Sequence, residues 1–481
     1  MNGIYELPRS TPEEQGVSSR AVLAFLEEAE KLRTKDMIQD FHSFILLRHG
    51  YVIAEGWWEP YESKMPHVLF SLSKSFTSTA IGFAVQEGLL TVEDRVVTYF
   101  MEECPEPGCN LAAMKVKDLL SMSTGHVVDT TSYMMERSDG DWVRGFLEVP
   151  VEKEPGTYFL YNTGATYMLS VILQKLTGMK LIDYLRPRLL EPLGIEGATW
   201  DSCPRGYNTG GFGLRVRTED IAKFGQLYLK EGVLDGKQLL SREWIKEATA
   251  SQSDNSRNGG GDWGQGYGYQ FWRCRNQAYR GDGAFGQYCV VMPEQDMVLA
   301  ITGGMRDLQL PLEIVWEKLL PGVTEHALTE GSDYQELKDK LANLKLLLPE
   351  GSTTSPWEGR IAGRCYDLEE NLFHFKRISF VFREGTIEMS LDTGQQEERY
   401  PVGIGKWTFG KVFFQGNMEP AAFTGIWEKE GTLLIQWRLT AMPFCLQFRI
   451  QFTEQELTME LKVNFGFEEP QPERVKGVCL G

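Results

Sequence analysis

Ser71 and Lys74 stand three residues apart in Phe70-Ser71-Leu72-Ser73-Lys74-Ser75-Phe76, the sole Ser-x-x-Lys of the 481-residue sequence. The surrounding residues read as an amphipathic helix that runs to Gly88. Positions i and i+3 of a helix project from one face. An amine placed there can take the proton of a serine hydroxyl and turn a weak nucleophile into one that is readily acylated. The plain alternative is a serine that caps a helix beside a solvated lysine. The two readings differ in what else the chain must supply: a second proton relay, an oxyanion hole, and burial that keeps the lysine neutral.

Candidates for these supports are present. Tyr161, in Pro155-Gly156-Thr157-Tyr158-Phe159-Leu160-Tyr161-Asn162-Thr163-Gly164, is expected to relay the proton to the leaving group. Its phenol pKa should be lowered by a nearby Lys74 ammonium. Tyr207-Asn208-Thr209-Gly210 repeats the tetrapeptide and is its rival. Gly281-Asp282-Gly283-Ala284-Phe285-Gly286 leads into a strand. Its glycines permit a close approach of backbone to substrate, so the Ser71 and Ala284 amides are the expected oxyanion hole. Asn162, Thr163, Asp282, Gly283 and Phe285 are the expected substrate contacts. His126 is either structural or part of the site lining.

In this order the three segments resemble the class C β-lactamase and penicillin-binding-protein-like serine hydrolase family. That family also includes carboxylesterases, D-aminopeptidases and 6-aminohexanoate-oligomer hydrolases. Ser71 and Lys74 match its first motif. Tyr161-Asn162-Thr163 falls on its Tyr-x-Asn or Tyr-x-Ser, with Thr163 where Asn or Ser is usual. Gly281-Asp282-Gly283 lines up with its Lys-Thr-Gly or His-x-Gly. The resemblance covers residues 10–320 and extends to residues 119–126, 218–225 and 266–269. It implies an α/β (α+β) fold: a β-lactamase/transpeptidase-like central antiparallel sheet flanked by helices, with a helical subdomain over a cleft. It also implies an acyl-enzyme mechanism on a small ester or amide, without cofactor or metal.

No Lys-Thr-Gly occurs in the chain. Asp282 replaces the cation that holds a β-lactam carboxylate and should repel that group, which favours neutral or cationic esters and amides. Loss of that cation also leaves open a different class of function, a non-catalytic binding or assembly module on the hydrolase fold. Ser253-Asp254-Asn255 spells the second motif of class A β-lactamases, but it sits in a polar, glycine-rich stretch and reads as a solvated loop.

The elements that must position these residues can be read as well. Strand signals at residues 44–47 and 51–54 flank His49-Gly50, and others fall at 266–272, 288–292 and 297–302. Helices at 20–32, 71–88 and 218–229 lie between them, which predicts one sheet completed by distant segments. Tyr267 and Tyr269, two apart on an expected strand, would share a face bordering the cleft. Past residue 325 the character changes. Residues 333–347 read as a charged amphipathic helix and 349–356 as linker. Paired strands at 378–382 and 386–391, 425–427 and 432–437, and 444–452 and 457–465 then predict an all-β barrel or sandwich. The expected division is 1–325 for the hydrolase domain, 326–355 for helix and linker, and 356–481 for a β-rich domain that caps the cleft or mediates homodimerisation.

Composition narrows the partners. With 42% hydrophobic and 24% charged residues the chain is globular, and a net charge of −18 disfavours nucleic acid and anionic lipid. The N-terminus has no basic segment followed by an apolar core, and no apolar run reaches membrane-spanning length. The eight cysteines lack disulfide-scaffold or zinc spacing and the six histidines form no His-x-x-x-His pattern. Free thiols in a cytoplasmic protein are expected.

Overall fold

The computed structural model describes residues 5–32, 39–429, 431–468 and 471–480. Strands β1 (Asp40–Arg48) and β2 (Tyr51–Trp57) form a hairpin. At its turn His49 and Gly50 take positive φ (52° and 85°), the geometry that suits a tight two-residue connection. Four more strands come from far along the chain: β3 (Trp272–Arg273), β4 (Tyr279–Gly283), β5 (Gln287–Met292) and β6 (Met297–Gly304). The sheet order is β2-β1-β6-β5-β4-β3, antiparallel throughout. This is the sheet completed by distant segments that the sequence implied.

β1 is buried along its whole length, because both faces of the sheet are covered. Phe44 and Leu46 pack with Val22, Phe25 and Leu26 of helix α1 (Ser19–Lys31). Their neighbours Ile45 and Leu47 join the opposite core, with Phe76 and Ala80 of α2 (Ser73–Gln86) and Phe224 of α4 (Thr218–Leu229). Alternation along one strand thus divides two hydrophobic cores. Helix α3 (Thr163–Thr177) lies against α2 and carries the helical subdomain.

Two expected elements are shorter than their patterns. Residues 266–270 are loop rather than strand; Tyr267 makes only isolated bridges, to Ser253 and to Trp272. Helix α5 (Ser332–Ala342) stops before residue 347. Beyond it the chain runs extended along Glu59, whose amide donates to the Leu344 carbonyl and whose carbonyl accepts from the Leu346 amide (3.1 and 2.9 Å). Extended geometry buries both Leu344 and Leu346 in the α1-side core, which a continued helix would not do.

The C-terminal region is a closed barrel. Its strands are β7 (Cys365–Leu368), β8 (Arg377–Arg383), β9 (Thr386–Asp392), β10 (Glu397–Ile404), β11 (Thr408–Phe414), β12 (Asn417–Lys429), β13 (Thr432–Leu439), β14 (Cys445–Phe452), β15 (Glu456–Val463) and β16 (Glu473–Leu480). Nine of them form the ring β10-β9-β8-β7-β16-β15-β14-β13-β12, sealed by a short parallel pairing of Gly403-Ile404 with Thr424-Gly425. β12 is long enough to pair also with β11, which lies outside the ring. Closure leaves most strand edges paired.

The barrel is seated directly on the six-stranded sheet. Arg438 of β13 donates from Nη1 to Asp40 Oδ2 of β1 at 2.7 Å, with both side chains about 6% exposed. Arg215 bridges to Glu419 at 3.0 Å, and the Val68 amide donates to the Ala441 carbonyl at 2.8 Å. Among the described residues no disulfide is formed. Among the described residues no helix is long and apolar enough to cross a membrane.

Removing one member of a buried ion pair strands the other charge. Asp40→Ala should therefore destabilise the protein by about 3–5 kcal/mol in urea titration, whereas Asp40→Leu combined with Arg438→Met should recover most of the loss. Equal stability of Asp40→Ala and wild type would show that the Asp40–Arg438 pair does not hold barrel and sheet together.

Candidate active site

Ser71 sits just ahead of α2, in the 3-10 turn Phe70–Leu72, not inside the helix itself. The tighter turn still brings residues three apart onto one side, so the Lys74 ammonium reaches back to Ser71. Lys74 is 1% exposed. Its Nζ lies 3.0 Å from Ser71 Oγ, 3.2 Å from Thr163 Oγ1 and 2.8 Å from the Gly211 carbonyl.

The side chains of α2 build this nest for themselves. Thr77 Oγ1 donates to the Gly210 carbonyl (2.8 Å), and Ser73 Oγ accepts from the Leu214 amide (3.1 Å). The loop carrying Gly211 is thereby fastened on either side of Lys74. A Cβ at Gly211 would lie 2.8 Å from Thr163 Cγ2, so only glycine lets the loop pass this close.

Desolvation pushes the Lys74 pKa down to about 7, against the opposing pull of Asp129 and Asp282. Asp129 is fixed at the start of α3, where Oδ1 accepts from the Thr131 and Thr163 amides (3.0 and 3.3 Å).

Tyr161 stands across from Lys74, with Nζ 5.0 Å from its ring centroid. Its ring is stacked on Trp272 at 5.3 Å. The phenol pKa is raised, not lowered as the sequence suggested. Burial dominates, with a further upward push from Asp282, and together these outweigh the lowering influence of the Ser71 side chain. Tyr161 is therefore a protonated hydroxyl at neutral pH.

The next two residues divide the roles expected of them. Asn162 is fully buried, and its Oδ1 accepts from the Gly164 amide (3.1 Å), the Thr130 amide (3.2 Å) and Thr130 Oγ1 (2.8 Å). It caps α3 and ties it to Thr130 instead of meeting substrate. Thr163 presents the hydroxyl that bonds Lys74.

On β4 the side chains alternate. A Cβ at Gly281 would lie 2.4 Å from Ser75 Oγ, and one at Gly283 would lie 2.0 Å from the Leu69 carbonyl and 3.1 Å from the Ser71 amide nitrogen. The glycine face thus presses on the nucleophile turn. Arg280 and Asp282 occupy the other face, joined at 2.7 Å from Nε to Oδ2. Arg280 also donates to the Asp262 carbonyl (2.7 Å) and lies over the rings of Trp263 and Trp272. The expected free repulsive carboxylate is thus corrected: Asp282 is neutralised by a buried guanidinium.

Ala284 occupies the β4–β5 turn, one residue beyond the contact with the Ser71 amide. Phe285 is not a cleft residue. At 6% exposure and φ 64° it packs on Phe70 (5.5 Å), on Phe444 (5.5 Å) and on Phe467 (4.8 Å, stacked), so it joins the six-stranded sheet to the barrel side.

The remaining candidates are structural. His126 is buried, bonded to Thr124 Oγ1 at 2.9 Å and packed on Phe146. The Tyr207 carbonyl accepts from the Cys203 amide, and the following Asn208 pins the loop to Trp200 and Ile182. Ser253 bonds the Ser121 carbonyl, and Asn255 accepts from the Gly266 amide. Tyr267 meets Tyr161 edge-on at 6.1 Å, whereas Tyr269 packs on Trp244, so the two do not share a cleft face. Sequence reasoning missed the Gly211 carbonyl, Trp272 and Asp129. No side-chain motif could have pointed to Gly211, since it is the backbone carbonyl that meets Lys74.

Residues 42–303 match the family model described as Beta-lactamase. The chain is 25% identical over 260 residues to the 6-aminohexanoate-dimer hydrolase of Paenarthrobacter ureafaciens, covering 51% of this chain and 65% of that one. It is 25% identical over 278 residues to penicillin-binding protein 4 of Amycolatopsis lactamdurans, covering 48% and 70%. The match therefore spans less than two thirds of the aminohexanoate hydrolase's own length. Among solved structures, EstCE1, a hydrolase with promiscuous acyltransferase activity, superposes with a TM-score of 0.52 at 16% identity, over 61% of this chain and 97% of that one. At that identity the likeness is one of fold.

Gly283→Ala would drive a methyl group into the Leu69 carbonyl beside the nucleophile. Because small displacements of reacting groups are costly, labelling of Ser71 by a fluorophosphonate should slow by about 10²-fold in a protein that remains folded. Labelling at the wild-type rate would show that β4 does not position this turn.

Proposed function

The chain belongs to the β-lactamase family, and we propose that it is a serine hydrolase that cleaves neutral or cationic esters and amides through an acyl-enzyme on Ser71. The observation that carries this reading is the set of three contacts at Lys74 Nζ. A neutral amine has two N–H groups and one lone pair. The Gly211 carbonyl can only accept, and Thr163 Oγ1 accepts the second N–H. The lone pair is left for the Ser71 hydroxyl proton.

Ser71 Oγ attacks the substrate carbonyl as its proton passes to Lys74. The negative oxygen of the tetrahedral intermediate is received by the Ser71 and Ala284 amides. On collapse the bond to the leaving group breaks, Tyr161 gives that group its hydroxyl proton, and the Lys74 ammonium restores the proton to Tyr161. In deacylation a water attacks the acyl carbon and gives its proton to Tyr161 as Tyr161 passes its own to Lys74; on collapse the acyl–Oγ bond breaks, the acid leaves, and the Lys74 ammonium returns a proton to Ser71 Oγ. A phenol kept protonated by burial suits this relay, because it always has a proton to give.

Charge supports the substrate class. The guanidinium of Arg280 is engaged by Asp282, and Asp129 adds a negative charge at the start of α3. A substrate carboxylate such as that of penicillin gains little there, whereas a neutral or ammonium-bearing acyl donor is not penalised. The name of one relative, 6-aminohexanoate-dimer hydrolase, agrees with a hydrolytic activity.

The test is turnover of p-nitrophenyl butyrate, an aminoacyl anilide and nitrocefin by wild type and Ser71→Ala. Ester or anilide cleavage that vanishes in Ser71→Ala, with nitrocefin turned over poorly, is expected; a folded wild type that neither turns over nor labels would leave a binding module instead. Lys74 must be neutral to act, so kcat/KM should rise with pH and level off above about 7, falling tenfold per unit below it. In Lys74→Ala the rate should drop by about 10²–10⁴ and that rise should disappear.

A further inference from the structure

The Ser71 and Ala284 amides each have a phenylalanine of positive φ for a neighbour: Phe70 (45°) directly before Ser71, and Phe285 (64°) directly after Ala284. A bulky residue stays in that region only where its surroundings over-determine it. The surroundings of both share one ring. Phe444, from the chain between β13 and β14, meets Phe70 edge-on at 6.1 Å and Phe285 edge-on at 5.5 Å. Phe70 and Phe285 meet each other edge-on at 5.5 Å. The three rings close a triangle in the orientation that aromatic quadrupoles favour. The nucleophile turn and the β4–β5 turn supply two corners, and the barrel supplies the third.

Phe444 is itself held firmly. The Leu439 amide donates to its carbonyl at 3.0 Å. Asn464, which is buried, fastens the residues on either side of it: Nδ2 donates to the Pro443 carbonyl (3.1 Å), and Oδ1 accepts from the Cys445 amide (2.6 Å). The Phe444 ring is backed by Phe414 at 5.7 Å and Phe465 at 5.2 Å. On the other side, the Phe285 carbonyl accepts from the Met305 amide (2.8 Å), so the six-stranded sheet fixes that backbone while the barrel meets its ring.

We infer that Phe444 is a positioning residue for the Ser71 reaction: wedged against Phe70 and Phe285 at once, it sets the spacing of the Ser71 and Ala284 amides. The inference rests on the reading of Ser71 as the nucleophile and of these amides as its oxyanion hole. Such a hole is effective because its donors are fixed before charge develops. Two donors on separate turns keep their spacing only if both turns are referred to a common point, and the Phe444 ring is that point.

The experiment uses the full chain and two readouts, steady-state hydrolysis of p-nitrophenyl butyrate and hydrogen–deuterium exchange followed by mass spectrometry. In Phe444→Ala, kcat should fall about tenfold with KM unchanged, because the lost alignment is felt only in the transition state. The pH midpoint at about 7 should stay, since Thr163 and Gly211 hold Lys74. Peptides covering residues 69–72 and 284–287 should both exchange faster. Phe380→Ala removes a ring packed on Phe382 and Phe452 elsewhere in the barrel; it should lower stability but leave kcat and both peptides at wild-type values. If Phe444→Ala fails to fold, Phe444→Val is read in the same way. The inference is overturned by wild-type kcat in a folded variant, by a change confined to KM, by faster exchange in only one of the two peptides, or by an equal effect of Phe380→Ala. A folded wild type without turnover would instead sink the Ser71 reading. Exchange then decides alone: joint loosening of both peptides upholds the brace, and its absence removes it.

Discussion

A lysine amine held away from water is the condition around which the Ser71-bearing half of the chain is arranged. Lys74 is removed from solvent almost entirely, and desolvation brings its pKa to about 7. Such a group is tolerated only where each of its polar directions meets a partner. The chain provides these locally and economically. Ser73 and Thr77, on the same helix, hold the loop that offers the Gly211 carbonyl, and Asn162 caps the helix whose first residue offers the Thr163 hydroxyl. Removal of any of these would leave an amine with a vacant direction in a place that water does not reach.

β4 shows how one strand serves two environments. Its glycines lie so near Ser75, Leu69 and Ser71 that no side chain fits, while Arg280 and Asp282, at the alternate positions, pair among tryptophans. The period of two keeps charge and close approach apart by a single residue. This arrangement also explains why an aspartate can stand beside the nucleophile: its charge is spent on a guanidinium two residues earlier, in surroundings that exclude solvent.

Much of this was legible in sequence where local pattern and tertiary demand coincide. The β1–β2 turn, the span of α4 and the pairing of strands in the barrel follow from turn chemistry, helix periodicity and alternation. Ser71 and Lys74 were identifiable from spacing, although the serine proved to lie in a 3-10 turn and not within the helix. Failures arose where a long-range contact outweighed the local signal. Phe285 looked exposed to substrate because nothing nearby in sequence foretells Phe444 and Phe467. Residues 266–270 alternate like a strand but lack a partner along their length. Asn162 and Thr163 could not be told apart until the start of α3 was placed, since a cap and a ligand of Lys74 have the same polarity. The direction of the Tyr161 shift needed the depth of its burial, which no motif records.

Phe70 takes a φ of 45°, an uncommon conformation for a bulky side chain, in the position directly before Ser71. Its ring is braced edge-on by Phe285 and by Phe444, and two residues earlier the Val68 amide is anchored to the Ala441 carbonyl. Both Phe444 and Ala441 come from the chain that connects β13 to β14. The polar stretch at residues 349–356 therefore divides the polypeptide into two folds without dividing its chemistry. A gene shortened there would encode every residue proposed to react and still lack Phe444 and Ala441, which brace the turn that carries them.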